Sequence, residues 1–335
     1  MRGSWTLCIC SFIGLSLLMF ASDTSVCGQQ ADGLSIPTEI TTGVQAQHVG
    51  TSYVDQCCES CTSNSGLFGF GLIKPSDHAF SDFISPMTNP VFFEDPRANS
   101  ELRPIFVNHK VPLAAGGGDI QLYALQIRAR LSERVSLIAT KDGFFVSQNA
   151  IIDDGFADLA AGLKFNLVRD PGLGRIASAG FTFELPTGEA SSFQGNGAGE
   201  LNTFYTTGRR IGQCGHWISA AGLRIPMNST DESFSGYWSN HMDFQVRNRV
   251  YLFGESNWYH WFASGDNTAL FGVEGLDVFN FGSAGVSGND IVTQAFGMKL
   301  KPGKKSELGF AFEFPLTRRE DVIDNRLTVD WIVRF

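Results

Sequence analysis

Apolar and polar residues alternate with a period of two over most of the chain after residue 101. Successive side chains of a β-strand point to opposite faces, so such a segment predicts a strand with one apolar and one polar face. No helical period competes with the alternation. The pattern is most regular in Asp119–Leu131, Ala157–Leu167, Ala177–Leu185, Glu307–Leu316 and Arg326–Phe335.

The same pattern, followed along the chain, predicts about twelve strands. Most have about ten residues or more, the length that a tilted strand needs to cross a bilayer, whereas strands of soluble sandwiches most often have about five or six. Two of them, 199–210 and 249–262, carry polar residues on both faces and indicate no clear orientation. The predicted strands are roughly 101–111, 119–131, 134–146, 157–168, 175–186, 199–210, 215–226, 236–247, 249–262, 290–301, 306–316 and 325–335.

The predicted links between strands alternate in length. Short links such as Ser132-Glu133 and Asn248 follow every second strand, whereas most of the others are longer and one, Ala263–Asn289, is far longer. Short turns on one side and long loops on the other are typical of outer-membrane barrels. The sequence therefore predicts an all-β protein, a transmembrane antiparallel up-and-down β-barrel of about twelve strands with short periplasmic turns and longer outer loops.

Composition agrees with a barrel and excludes several other classes. Charged residues are 18% of the 335 residues, against about 25% in a typical soluble domain, and the chain has 37 glycines and 29 phenylalanines. The 43% hydrophobic content argues against disorder. No stretch after residue 20 is long and apolar enough for a spanning helix. The net charge of −9 argues against nucleic acid as a partner.

The first hundred residues differ from the rest. Arg2 and the apolar stretch that ends near Phe20 predict a signal peptide over 1–28, with a retained membrane anchor as the alternative. Residues 29–66 are polar and predict a Cys-containing linker. Residues 67–100 are interrupted by prolines and predict an irregular segment that plugs or covers a barrel formed by 101–335. We therefore expect export to the bacterial outer membrane.

The cysteines suit an oxidising compartment. Cys57, Cys58 and Cys61 form a cluster, and Cys214 stands apart from them. A zinc site would need a fourth ligand at a defined spacing, which the sequence does not offer, so a disulfide among these cysteines is the favoured interpretation. No metal and no cofactor are predicted.

The chain ends on an alternating strand with a terminal aromatic residue. Trp331 and Phe335 lie on the apolar face of this last strand. This ending resembles the C-terminal assembly signal of bacterial outer-membrane proteins. The resemblance implies the outer-membrane assembly machinery as a partner, in addition to the outer-membrane lipid that surrounds a barrel.

A second resemblance lies at the end of a predicted strand. Phe183-Glu184-Leu185-Pro186-Thr187-Gly188 is followed by a Gly-rich stretch over 195–201. Pro186 and Gly188 stop the strand and permit a tight turn at Thr187. The arrangement resembles the family named for the MetA pathway of phenol degradation, whose members are regarded as outer-membrane channels or transporters. The resemblance implies a transport class and no particular solute.

The polar faces of the strands predict a lumen that contains charges of both signs, many of which are expected to pair with one another. About twelve strands lie between the filled barrels of eight and the wide channels of sixteen, so a narrow pore is expected. Aromatic residues near strand ends, with His260 beside them, predict interfacial girdles: Trp217, Tyr237, Trp238, Trp258, Tyr259 and Trp261. The candidate lumen residues are Arg128, Arg130, Asp158, Lys164, Glu184, Arg224, Asp243, Lys299, Glu307, Glu313, Arg326, Asp330 and Arg334.

These features predict a channel or transporter for small solutes, with hydrophobic or aromatic solutes as candidates. The first alternative is a structural barrel without transport. The second is a lipid hydrolase embedded in the barrel, because Ser239 and His241 share one face of a predicted strand. No orienting acid or amide can be assigned to this pair, and the common motifs of soluble enzymes are missing from the sequence. The sequence therefore predicts that the protein is not an enzyme.

Overall fold

A computed structural model describes residues 71–335. The predicted signal peptide, the linker with Cys57, Cys58 and Cys61, and residues 67–70 lie outside the described residues. The described part is a closed antiparallel β-barrel, which confirms the predicted fold class. Within residues 71–335, no helix is long and apolar enough to span a membrane.

Fourteen strand segments make up the twelve strands of the barrel, because two barrel strands are interrupted. Segments β3 and β4 together form the third barrel strand, because both pair with β2. Segments β5 and β6 together form the fourth, because β5 pairs with β4 and β6 pairs with β3. The segments are β1 Glu101–Lys110, β2 Asp119–Arg130, β3 Val135–Lys141, β4 Phe144–Ser147, β5 Gly155–Phe156, β6 Leu159–Asp170, β7 Arg175–Leu185, β8 Glu200–Ile211, β9 Gly215–Pro226, β10 Phe234–Arg247, β11 Val250–Ala263, β12 Asp290–Gly303, β13 Ser306–Pro315 and β14 Asn325–Arg334.

Each barrel strand pairs with its neighbours along the chain, and β1 pairs with both β2 and β14, so the sheet has no free edge. Most predicted strand limits lie within two residues of these segments. The prediction of one continuous strand over 134–146 is wrong. Gly143 has φ 116°, and the Asp142 side chain accepts a hydrogen bond from the Leu125 amide at 2.8 Å, so the ladder is interrupted there.

The links alternate in length as predicted. Five short turns, 131–134, 171–174, 212–214, 248–249 and 304–305, lie at one end of the barrel, which we call the turn side. Six longer links lie at the other end, which we call the loop side: 111–118, 148–154, 186–199, 227–233, 264–289 and 316–324.

The two faces of the wall differ as the alternation requires. Large apolar residues such as Ile127, Phe310 and Trp331 are exposed on the outward face, where lipid would cover them. Trp238 and Trp258 also lie outward. The girdle prediction is wrong for three aromatic residues, because alternation turns them inward, where they are buried: Tyr237, Tyr259 and Trp261.

The lumen contains a segment of the chain itself. Residues 76–100, which we call the lumenal segment, are irregular apart from one turn of 3-10 helix at His78–Phe80. Every residue from Phe83 to Ser100 is buried. Hydrogen bonds connect this segment to inward side chains of β2, β6, β10, β11 and β13.

Candidate functional site

The turn-side half of the lumen is a network of buried ion pairs centred on the lumenal segment. Glu94 lies 2.6 Å from Arg128 on β2 and 2.7 Å from Lys164 on β6. Lys164 also donates to the backbone carbonyls of Asp95 and Arg97. These side chains are almost completely buried, so each charge depends on its partners rather than on water.

A second centre of this network is Glu307 on β13. Its carboxylate lies 2.6 Å from Arg334 and 3.2 Å from Lys301, and it accepts a hydrogen bond from the Ser85 amide at 3.0 Å. Lys299 lies 3.0 Å from Asp330, which also pairs with Arg103. The barrel wall therefore holds the lumenal segment through its backbone as well as through its side chains.

Between β9 and β11, imidazole and carboxylate groups alternate along the inner wall. His216 lies 3.1 Å from Asp82 and 2.7 Å from Asp243. His241 lies 3.1 Å from Asp243 and 2.7 Å from Glu255. We call these five residues the histidine ladder. Both of its ends contact the lumenal segment, because Asp82 belongs to that segment and Glu255 accepts hydrogen bonds from the amides of Met87 and Thr88.

The loop-side half of the lumen contains both ion pairs and an apolar cluster. Lys141 pairs with Glu184, Arg224 with Glu200, and Arg326 with Asp277 of the longest loop. Around and above these pairs, aromatic and aliphatic side chains from the wall, the lumenal segment and the loops form one buried cluster, which includes Phe92, Phe145, Tyr259, Trp261, Leu276, Phe279, Phe281 and Ile291.

The Leu-Pro-Thr-Gly turn is held by a residue that was predicted to face the lumen. The Asp158 carboxylate accepts hydrogen bonds from the amides of Gly188 at 2.8 Å and Gly195 at 2.9 Å. The Thr187 hydroxyl accepts one from the Leu159 amide at 3.1 Å. Pro186 ends the pairing of β7 and begins this loop. The motif therefore fixes the base of the 186–199 loop against β6.

The other predicted residues have these positions. Arg130 lies at the turn-side rim, where it donates to the Pro75 carbonyl, and is partly exposed. Glu313 accepts hydrogen bonds from Thr293 and Asn257. The Phe335 amide donates to the Ser100 carbonyl at 3.0 Å, whereas Trp331 lies on the outward face. Cys214, in the turn between β8 and β9, is disulfide-bonded rather than isolated.

The geometry does not bring together a hydrolytic pair. Ser239 and His241 both face inward and are fully buried. The Ser239 hydroxyl accepts a hydrogen bond from Asn89, and both ring nitrogens of His241 contact carboxylates. Within residues 71–335, no group of three or more His, Cys, Asp or Glu side chains is arranged to bind a metal ion.

Sequence reasoning missed several residues of the lumen. Glu94, Asp95 and Arg97 lie in a Pro-rich stretch without periodicity, so no face could be assigned to them. Glu255 lies on β11, where polar residues occupy both faces. The burial pattern now places Tyr251, Phe253 and Glu255 inward on this strand.

Comparison with solved structures supports the fold. The chain is similar to an outer membrane channel from Pseudomonas putida, with a TM-score of 0.54, 12% identity, and coverage of 76% of this chain and 100% of that chain. Two further structures are less similar and are not used as evidence. The β domain of a Bordetella autotransporter has a TM-score of 0.45 and 11% identity, and the match covers 71% of this chain and 100% of that chain. A KdgM porin has a TM-score of 0.41 and 9% identity, and the match covers 70% of this chain and 99% of that chain.

No family model matches the chain, and no curated protein matches it. The fold itself, from the strand pairing and the likeness to the Pseudomonas putida channel, is that of an outer-membrane β-barrel. The resemblance to the phenol-degradation family stays a prediction.

Proposed function

We propose that the protein is an outer-membrane channel for small apolar or aromatic solutes. The observation that carries this proposal is the buried apolar cluster in the loop-side lumen, where Phe279 stacks on Phe281 and on Phe145. If this packed cluster opens, the passage is lined by apolar side chains with a few polar groups, which is typical of sites for apolar small molecules. The similar Pseudomonas putida barrel is described as an outer membrane channel, which agrees with the proposal.

Passage through the barrel requires movement of the lumenal segment. This segment and the 264–289 loop fill the lumen with buried side chains, so a channel in this conformation would be closed. The anchors of the segment are hydrogen bonds and ion pairs, which can exchange for water when the segment moves. A permanently filled lumen would instead favour the second candidate, a structural barrel without transport.

Export and assembly complete the proposal. A signal peptide over 1–28 would deliver the chain, and the C-terminal Trp331 and Phe335 would be recognised by the assembly machinery. Membership of the phenol-degradation family, on the Pro186-Thr187-Gly188 motif, belongs to the same proposal.

Uptake into liposomes tests the channel proposal. We expect purified protein to admit a small phenol faster than a sugar of similar size, because the phenol replaces the apolar contacts of the loop-side cluster. Phe279→Asp places a charge in that cluster and should reduce phenol uptake about tenfold or more. Phe271→Asp on the same loop is the matched control, because Phe271 is 69% exposed. Absence of uptake and of conductance in planar bilayers would favour the structural barrel.

A further inference from the structure

The histidine ladder connects two points of the lumenal segment through the barrel wall. It runs from Asp82 to His216 on β9, then to Asp243 and His241 on β10, and then to Glu255 on β11. Glu255 returns to the segment at the Met87 and Thr88 amides, 2.8 and 2.6 Å away. Apart from Asp82, the ladder side chains are almost completely buried.

The number of available protons fixes the state of the ladder. An ionised carboxylate only accepts hydrogen bonds, and a neutral imidazole has one N–H donor. Each of the two rings contacts a carboxylate through both of its nitrogens, at 2.7 and 3.1 Å. With the three carboxylates ionised, all four contacts are hydrogen bonds only when His216 and His241 both carry a proton on each nitrogen.

The charges of the surrounding groups lead to the same state. Asp82, Asp243 and Glu255 are three carboxylates, and Arg210 on β8 pairs with Asp82 at 2.6 Å. Two imidazolium rings and Arg210 neutralise the three carboxylates, whereas neutral rings would leave an excess of two negative charges. Further titratable neighbours among residues 71–335 are Tyr251, whose ring lies 6.5 Å from that of His216, and Lys301, whose Nζ lies 6.0 Å from the Tyr251 ring.

We propose that the histidine ladder is a proton-controlled anchor, which holds the lumenal segment when His216 and His241 are both protonated and releases it when they lose their protons. The regulatory role rests on the proposed channel function, but the anchoring chemistry does not. A deprotonated ring would place a lone pair against a carboxylate oxygen, and the buried charges would no longer balance.

The direction of the pH dependence follows from linkage. In the released state His216 no longer faces Asp82 and water can reach both rings, so neither ring must carry two protons to satisfy its contacts. The closed state therefore binds more protons than the released state at neutral pH. Closure is strongest at low pH, where both rings are protonated, and weakens as the pH rises, by up to about tenfold per pH unit for each proton lost.

The protonation state is measured directly by ¹⁵N NMR of histidine-labelled protein in detergent. At about pH 8, where a solvent-exposed histidine is mostly neutral, we expect two rings to remain imidazolium. The single variants His216→Gln and His241→Gln should each remove one of these signals. The proposal is wrong if the wild-type protein contains only neutral rings at this pH, a result that does not depend on how well any variant folds.

Release of the segment is measured by hydrogen exchange of the peptide that contains Met87 and Thr88, corrected for the intrinsic effect of pH on exchange. We expect protection in the wild type to fall between about pH 6 and pH 9. In the His216→Gln/His241→Gln double variant it should be low throughout and insensitive to pH. His260→Gln is the matched control, because His260 faces outward and contacts Asp290.

Equal protection in the double variant and in wild type would overturn the anchor. A pH-dependent release without any conductance would support the anchor and contradict the channel, so the two proposals fail separately.

Discussion

At the scale of single residues, Glu94 is the buried group that joins the lumenal segment to β2 and β6. It faces both Arg128 and Lys164, and breaking a buried ion pair by removing one partner costs about 3–5 kcal/mol. We expect Glu94→Gln to lower the thermal unfolding temperature in detergent, because two buried cations lose their nearest carboxylate. Glu133→Gln, at an exposed position in a turn, should leave it unchanged. Similar unfolding temperatures for the two variants would contradict a central role for Glu94.

The residues of this network differ in how far the sequence predicts them. Arg128 and Lys164 lie on regular alternating strands, so a period of two identifies their inward face. Glu94 has no such pattern around it, because the prolines at 86, 90 and 96 remove regular structure. Its position depends on contacts with residues 34 and 70 places away in the chain, which no local pattern records.

At the scale of elements, the lumenal segment fits the wall because some inward positions lack a side chain. A Cβ on Gly309 of β13 would lie 2.4 Å from the sulfur of Met87 and 2.4 Å from Asp330 Oδ1. We expect Gly309→Val to push the segment away from β13 and to raise the frequency of channel openings in planar bilayers. Gly303→Val is the matched control, because a Cβ at Gly303 meets no atom within 4 Å. If the two variants open with the same frequency, the close contact between Gly309 and Met87 does not keep the channel closed.

The strands were predictable because the alternation of apolar and polar residues, which has a period of two, is a property of the local sequence. Their pairing followed from the short turns, since neighbouring strands joined by two to four residues must be antiparallel. The break at Asp142-Gly143 and the inward turn of Tyr237 and Trp261 were not predicted. The first depends on the backbone geometry of one glycine, and the second follows from alternation only once Trp238 and Trp258 are known to face outward.

At the scale of the whole molecule, charge is distributed unevenly between the two ends. The loops between strands on the loop side contain basic residues only at Arg318 and Arg319 among the described residues. The turns contain Arg134, Arg249, Lys304 and Lys305, with Glu133 as their acidic residue. The acidic residues of the loops are Asp153, Asp154, Glu189, Asp231, Glu232, Asp266, Glu274, Asp277, Glu320, Asp321 and Asp324.

An acidic mouth concentrates cations, so we expect the open channel to prefer potassium to chloride. The preference should be visible as a reversal potential in a KCl gradient and should weaken at high salt, because the screening length falls from about 10 Å at 0.1 M to about 3 Å at 1 M. Asp153→Asn/Asp154→Asn should reduce it, and Lys304→Gln/Lys305→Gln on the turn side is the matched control. Anion preference in the wild type would contradict this view of the mouth.

The same selectivity should depend on pH through the buried loop carboxylates. Burial raises the pKa of Glu232 to about 8, with Glu200 and Glu184 adding to the shift. Burial also raises the pKa of Asp321 to about 6, against the opposing effect of Arg319. Because protonation removes negative charge, cation preference should fall as the pH is lowered through about 8 and again through about 6. Glu232→Gln should abolish the first of these steps and leave the second, which reversal potentials measured between about pH 9 and pH 5 would resolve.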